Sequence, residues 1–230
     1  RQQLLTSRDR ESGRRPMGTT GNKRICHPTK SCGVFDLAGC QTSILPSFKP
    51  MSLYRPLHDL PPLAGVCNFT EAQRPGLSVE ECVKRLKRYH YALKRCHQIF
   101  NNRIPSEPVY ELKMAFSLHS HYCAEHVTAL RKRIGEMREP PLGLNTVPDE
   151  NLEILFDEIL STPNKTELLL GLYEIALPSV RDAMSKHLVD TNPLADHPSV
   201  RVIRFALLEL DEMVALGQVS IESEVNDQAR

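Results

Sequence analysis

The sequence predicts an all-α protein, an antiparallel four-helix bundle carrying an extended N-terminal arm, and three stretches carry that reading. In the stretch 108–139, Leu112, Phe116, His119, Cys123, His126, Leu130 and Ile134 recur at spacings of three and four, which places them on one helical face. Cys82, Leu86, Tyr89, Leu93, Cys96 and Phe100 repeat in the same way, the seam of a bundle helix. Val200, Ile203, Leu207, Leu210 and Val214 form a third such seam near the C-terminus.

Composition narrows the classes. Charged residues are 25% and hydrophobic ones 40% of the 230 residues, as in an ordinary globular domain with a tail. The net charge of +1 conceals an asymmetry: residues 1–50 hold nine Lys/Arg against three Asp/Glu, about +6, which leaves the remainder at about −5. A mildly acidic folded part is not a nucleic-acid surface, and the absence of Trp argues against a stacking platform. No apolar run reaches the roughly 18 residues of a transmembrane helix, so no membrane partner is expected. Seven cysteines without a CxxC pair predict free thiols in a reducing, cytoplasmic setting. No phosphate loop, dinucleotide fingerprint or nucleophile elbow is present.

Residues 1–50 show no sustained period and hold too few apolar side chains to offset the entropy of ordering, so they read as a disordered or non-native leader. A basic, acid-poor leader is also the composition of a targeting peptide. Cys26, His27, Cys32 and Cys40 lack a zinc-finger spacing. Residues 51–77 alternate Leu with Pro and predict an extended arm over a groove of the bundle, held by Leu53, Leu57, Leu60, Leu63 and Phe69, with a short helix near 59–72.

The bundle itself is expected over 78–217. Ser78 followed by Glu81 is a capping box that opens helix one. Its outer face carries Lys84, Arg85, Lys87, Arg88, Lys94 and Arg95 and reads as solvated surface. Pro105 and Pro108 bracket a connection short enough to make helix two antiparallel to helix one. Pro140 and Pro141 end helix two. Residues 149–161 form a short helix with Leu152, Leu155, Phe156 and Ile159 inward. The next helix, about 165–189, is kinked by Pro178, which lacks a backbone donor. The last runs from about Pro198 to Gly217, and 218–230 is a polar tail.

Imidazoles inside the seams are the most informative feature. His90 and His97 border the seam of helix one, while His119 and His126 lie within that of helix two. Bundles build metal sites from facing imidazoles and carboxylates, here Glu125 on helix two and Glu174 and Glu209 on the last two helices. His90, His119, His126, Glu125, Glu174 and Glu209 are therefore the candidate ligands, for iron, manganese or another transition metal. The plainer reading makes these imidazoles core-edge residues bonded to Glu or to Tyr89, Tyr122 and Tyr173. Cys123, one turn from His119 and from His126, reads as core. Arg181, Arg201 and Arg204 face Asp182, Glu209, Asp211 and Glu212 and predict an ion-pair network, with Arg204 alternatively taking an anion.

The helix order over about 78–217 resembles the ferritin-like superfamily, whose members carry a Glu on one helix and Glu-x-x-His on the next, repeated in the second pair. The resemblance implies a ferritin-like bundle with a metal site at its centre. The chain departs from that motif: Glu125 and His126 are adjacent, Glu111 is followed three on by Met114, Glu174 by Leu177 and Glu209 by Glu212. Two functions follow. The first is a non-catalytic binding or assembly module, acting as a homo-oligomer or on a protein partner. The alternative is a metal-dependent oxidoreductase with a His/Glu site inside the bundle. The missing motif favours the first.

Overall fold

The computed structural model describes residues 57–137 and 143–228; the expected leader 1–50 and the start of the arm lie outside the described residues. Within them the chain is all helical. After short 3-10 turns at Leu57–Asp59 and Pro62–Gly65 come α1 (Phe69–Ala72), α2 (Val79–Arg103), α3 (Tyr110–Glu136) and α4 (Glu150–Ser161). α5 (Lys165–Leu169), a π-helical turn (Leu170–Ala176) and α6 (Leu177–Asp190) follow without a break, and α7 (His197–Gln228) is the last described element.

Local chemistry accounts for these boundaries. Ser78 Oγ accepts from the Glu81 N–H and opens α2. The other half of the expected box is absent, because the Glu81 carboxylate turns to Arg85 instead. Asp149 and Asn164 cap α4 and α5 through the N–H groups of Asn151 and Thr166. Pro178 cannot donate to the carbonyl one turn back, and the break expected there takes the form of the π turn, with the Leu177 N–H bonded to Leu172 O.

Pairs across the helices give their directions. Phe100 meets Phe116 while His97 meets Ser120, so numbers rise along α2 as they fall along α3. The same inversion relates α2 to α6 through Arg85–Asp190 and Tyr89–Ala183, and α3 to α7 through His126–Glu209 and Arg133–Ser199. It also relates α6 to α7, where Arg181 reaches Asp211 near one end and His187 approaches Asp196 at the other. α3 and α6 both oppose α2 and are therefore parallel to each other. The segment joining them must cross the length of the molecule, and α4 is that crossover. It runs alongside α2, where Arg88 holds Asp149, Arg95 holds Asp157, and Arg103 donates to the carbonyls of Leu160 and Thr162. The basic outer face of helix one is thus not wholly solvated surface: two of its arginines, Arg88 and Arg95, fasten the crossover together with Arg103.

The core lies between α2, α3, the α5–α6 segment and α7, around Phe100, Phe116, Leu172, Tyr173 and Met213, all fully buried. α7 does not stop at Gly217 but continues to Gln228. Gly217 has a packing role: a Cβ there would lie 2.1 Å from Tyr173 Cγ, so only glycine lets that ring reach α7. Gly217→Ala gains about 1 kcal/mol of helix propensity and yet is expected to cost roughly 3 kcal/mol net through overpacking. A urea midpoint that stays level or rises in the variant would mean that Tyr173 does not sit there.

The arm is attached differently from expectation. Leu60 is 63% exposed and pins nothing. The tether lies further on, where Asn192 Nδ2 donates to the carbonyls of Ala72 and Arg74 at 2.9 and 2.7 Å. A Cβ at Gly76 would come within 2.5 Å of the Asn192 backbone nitrogen, so the arm lies directly on the α6–α7 loop.

Candidate functional site

Of the six ligands predicted from the sequence, only His126 and Glu209 are brought together. His119 is buried in an aromatic cage of Phe100 and Tyr173, and its Nδ1 lies 2.7 Å from the Tyr173 hydroxyl. Burial pushes its pKa down to about 4. His126 and Glu209 are brought together: Nε2 and Oε2 are 2.7 Å apart, an ion-pair distance without the alignment of a hydrogen bond. Burial holds this imidazole below its ordinary pKa, against the opposite pull of the Glu209 carboxylate. His90 is buried with Nδ1 unpartnered, and burial, helped by Lys94 and Arg131, lowers its pKa to about 4. Glu125 and Glu174 are exposed. Among the described residues these six do not gather into a group of three ligand atoms.

Such a group forms elsewhere. Cys82 on the first turn of α2, His187 on the last turn of α6, and Asp196, directly before α7, place one sulfur, one nitrogen and one oxygen within 4.8 Å of one another, all buried. Asp196 is the hub. Its Oδ2 lies 3.6 Å from Cys82 Sγ, 3.6 Å from His187 Nε2 and 3.1 Å from Thr191 Oγ1. Its Oδ1 accepts from Ser199 Oγ at 2.6 Å and from the Arg133 guanidinium at 3.1 Å, while Arg133 Nε donates to Ser199. The Asp196 carbonyl accepts from the Val200 N–H, so this residue also starts α7.

Electrostatics follow from that crowding. Burial alone would raise the Asp196 carboxyl, but the contacts from His187, Ser199, Arg133 and Thr191 outweigh it and hold the pKa at about 2. Burial and the neighbouring Asp196 charge push the Cys82 thiol up to about 11. His187 is wholly buried, and neither ring nitrogen has a hydrogen bond. On the outer side, an open cavity of about 460 Å³ is lined by Arg74, Gly76, Cys82, Arg133, Asn192 and Asp196 among others. With a thiol, an imidazole and an ionised carboxylate converging, the group could hold a metal ion.

Sequence periodicity passes over this group for physical reasons. Cys82 sits on an apolar seam and looks like core. Asp196 lies in a helix–helix loop, where acidic residues are ordinary. The usable signal is the density of capping residues in DTNPLADHPS, more than one helix start requires. Compared with protein families, curated proteins and solved structures, the chain matches none.

Proposed function

We propose that the protein is a non-catalytic assembly module: a ferritin-like four-helix bundle that pairs with a second copy of itself through the outer face of α7. The α2, α3, α6 and α7 directions, with one long crossover carried by α4, are those of a ferritin-like arrangement and support that half of the reading.

The observation that carries the other half is a second seam on α7. Its inner face, Val200, Ile203, Leu210, Met213 and Val214, is buried in the core. On the opposite side Arg201, Phe205, Leu208, Glu212, Ala215, Val219 and Glu222 recur at alternating spacings of four and three, and every one is exposed. Phe205 is 55%, Leu208 64% and Val219 67% exposed, a costly display for a monomer. That spacing is a coiled-coil seam. Charge selects the occupant: Arg201 and Arg204 mark one end of the seam and Glu222 the other, so two copies in antiparallel array bring basic end to acidic end across a two-fold axis.

Sedimentation equilibrium over the micromolar range tests the reading. The expected result is a dimer for the full chain and a monomer of unchanged helicity for Leu208→Asp. The doubly reversed Arg201→Glu/Arg204→Glu chain should also be monomeric, and should pair when mixed with Glu222→Lys. A monomeric wild type, or a dimer indifferent to Leu208→Asp, overturns the proposal.

A further inference from the structure

We infer that Cys82, His187 and Asp196 form a binding site for one divalent cation of the zinc class, with an open coordination position facing the cavity under the arm. The geometry is of the right size. Two ligands at about 2.0–2.3 Å from a tetrahedral ion lie roughly 3.3–3.7 Å apart. Asp196 Oδ2 stands 3.6 Å from both Cys82 Sγ and His187 Nε2.

The imidazole supplies an independent observation. A buried ring with no hydrogen bond at either nitrogen has lost its water contacts and kept in exchange only the Asp196 carboxylate at 3.6 Å. His187 Nε2 lies 3.6 Å from Oδ2, beyond hydrogen-bond range, and a cation between them would give that nitrogen a partner. The carboxylate is already oriented for it: Arg133 and Ser199 occupy Oδ1, the outer-shell support that metal ligands ordinarily have, while Oδ2 takes only the Thr191 hydroxyl and the Cys82 thiol, whose proton the ion would replace. Binding displaces the Cys82 proton, since the ligand is the thiolate, so one proton leaves for solvent with each ion bound.

Three protein ligands leave one tetrahedral position. Cys82, Asp196 and Arg133 also line the cavity of about 460 Å³, so water or a small ligand has access to that position. Three ligands with one open position differ from the four protein ligands of a sealed structural zinc, so the site can take an exogenous ligand. The donor set, one each of sulfur, nitrogen and oxygen, suits zinc or cobalt better than magnesium or calcium. The site joins the start of α2, the end of α6 and the start of α7 and does not depend on self-association.

Cobalt(II) is the probe, because a thiolate ligand gives it a charge-transfer absorption that nitrogen and oxygen ligands do not. The full chain should bind one equivalent with that band. The band should persist when Cys26, Cys32, Cys40 and Cys67 are all replaced by Ser, and it should disappear in Cys82→Ser. No thiolate band in the wild type, a band that survives Cys82→Ser, or a band lost with the four other cysteines each overturns the inference. The wild type and the four-cysteine variant decide the question even where Cys82→Ser fails to fold. Besides Cys82 the four-cysteine variant keeps only Cys96 and Cys123, both fully buried, and circular dichroism before and after cobalt separates site filling from unfolding: an unchanged spectrum is expected, and loss of helicity as the band grows overturns the site.

Discussion

Stability should fall by about 3 kcal/mol for each of His90 and His119 as the pH is lowered from 6.5 to 4. Both rings are buried, and burial depresses both pKa values from the ordinary 6.5 to about 4. In that interval the unfolded chain takes up protons that the folded chain refuses. The contribution is complete above pH 6.5, declines through the window, and changes no further below 4. Against a typical total of roughly 5–15 kcal/mol, the combined loss brings the protein close to unfolding. Urea denaturation from pH 7.5 to 4 measures it. His90→Leu should remove its share of the slope and raise stability at pH 5, since Nδ1 has no partner to lose. His119→Gln should remove the other share while leaving the Tyr173 hydroxyl a partner. A wild-type midpoint unchanged between pH 6.5 and 4.5 would show that the rings are not held neutral.

These two histidines also show how far the sequence reaches. The seam of helix two is legible because Leu112, Phe116, Leu130 and Ile134 repeat with the period of a helix, and His119 and His126 follow from the same count. Periodicity places a side chain on a face; it does not say what meets it there. His119 meets a tyrosine on the π turn, and that encounter depends on Gly217 of α7, which local signals read as a helix end. The basic face of helix one is only partly legible for a related reason, since the crossover α4 that Arg88 and Arg95 hold, with Arg103 beyond them, is set by the whole topology. The Cys82, His187 and Asp196 group lies still further from local view. Its members are distant in sequence, each is ordinary where it stands, and only the closure of α2, α6 and α7 brings them together.

Asp196→Ala should cost about 3–5 kcal/mol, the usual consequence of removing one partner from a buried ion pair. The Arg133 side chain is 13% exposed and would keep its charge with only Glu136, at 3.3 Å, in salt-bridge range. Ser199 Oγ, Thr191 Oγ1 and Cys82 Sγ would lose their acceptor at the same time. The effect should also spread along a definite path. Asn192 sits in the loop that Asp196 closes, and it holds Ala72 and Arg74, so hydrogen exchange should rise in the loop and in the arm while α4 stays protected. Acid provides a second readout. The folded pKa of about 2 lies below the ordinary carboxylate value of 3.8, so this stabilisation is whole above 3.8 and is lost as the pH falls towards 2, below the window of the histidines. Asp196→Asn keeps the shape without the charge and should remove the Asp196 share of that lower step while leaving the one between 6.5 and 4. A loss under about 1 kcal/mol in Asp196→Ala, with the arm's exchange unchanged, would place the tie between α6, α7 and the arm elsewhere.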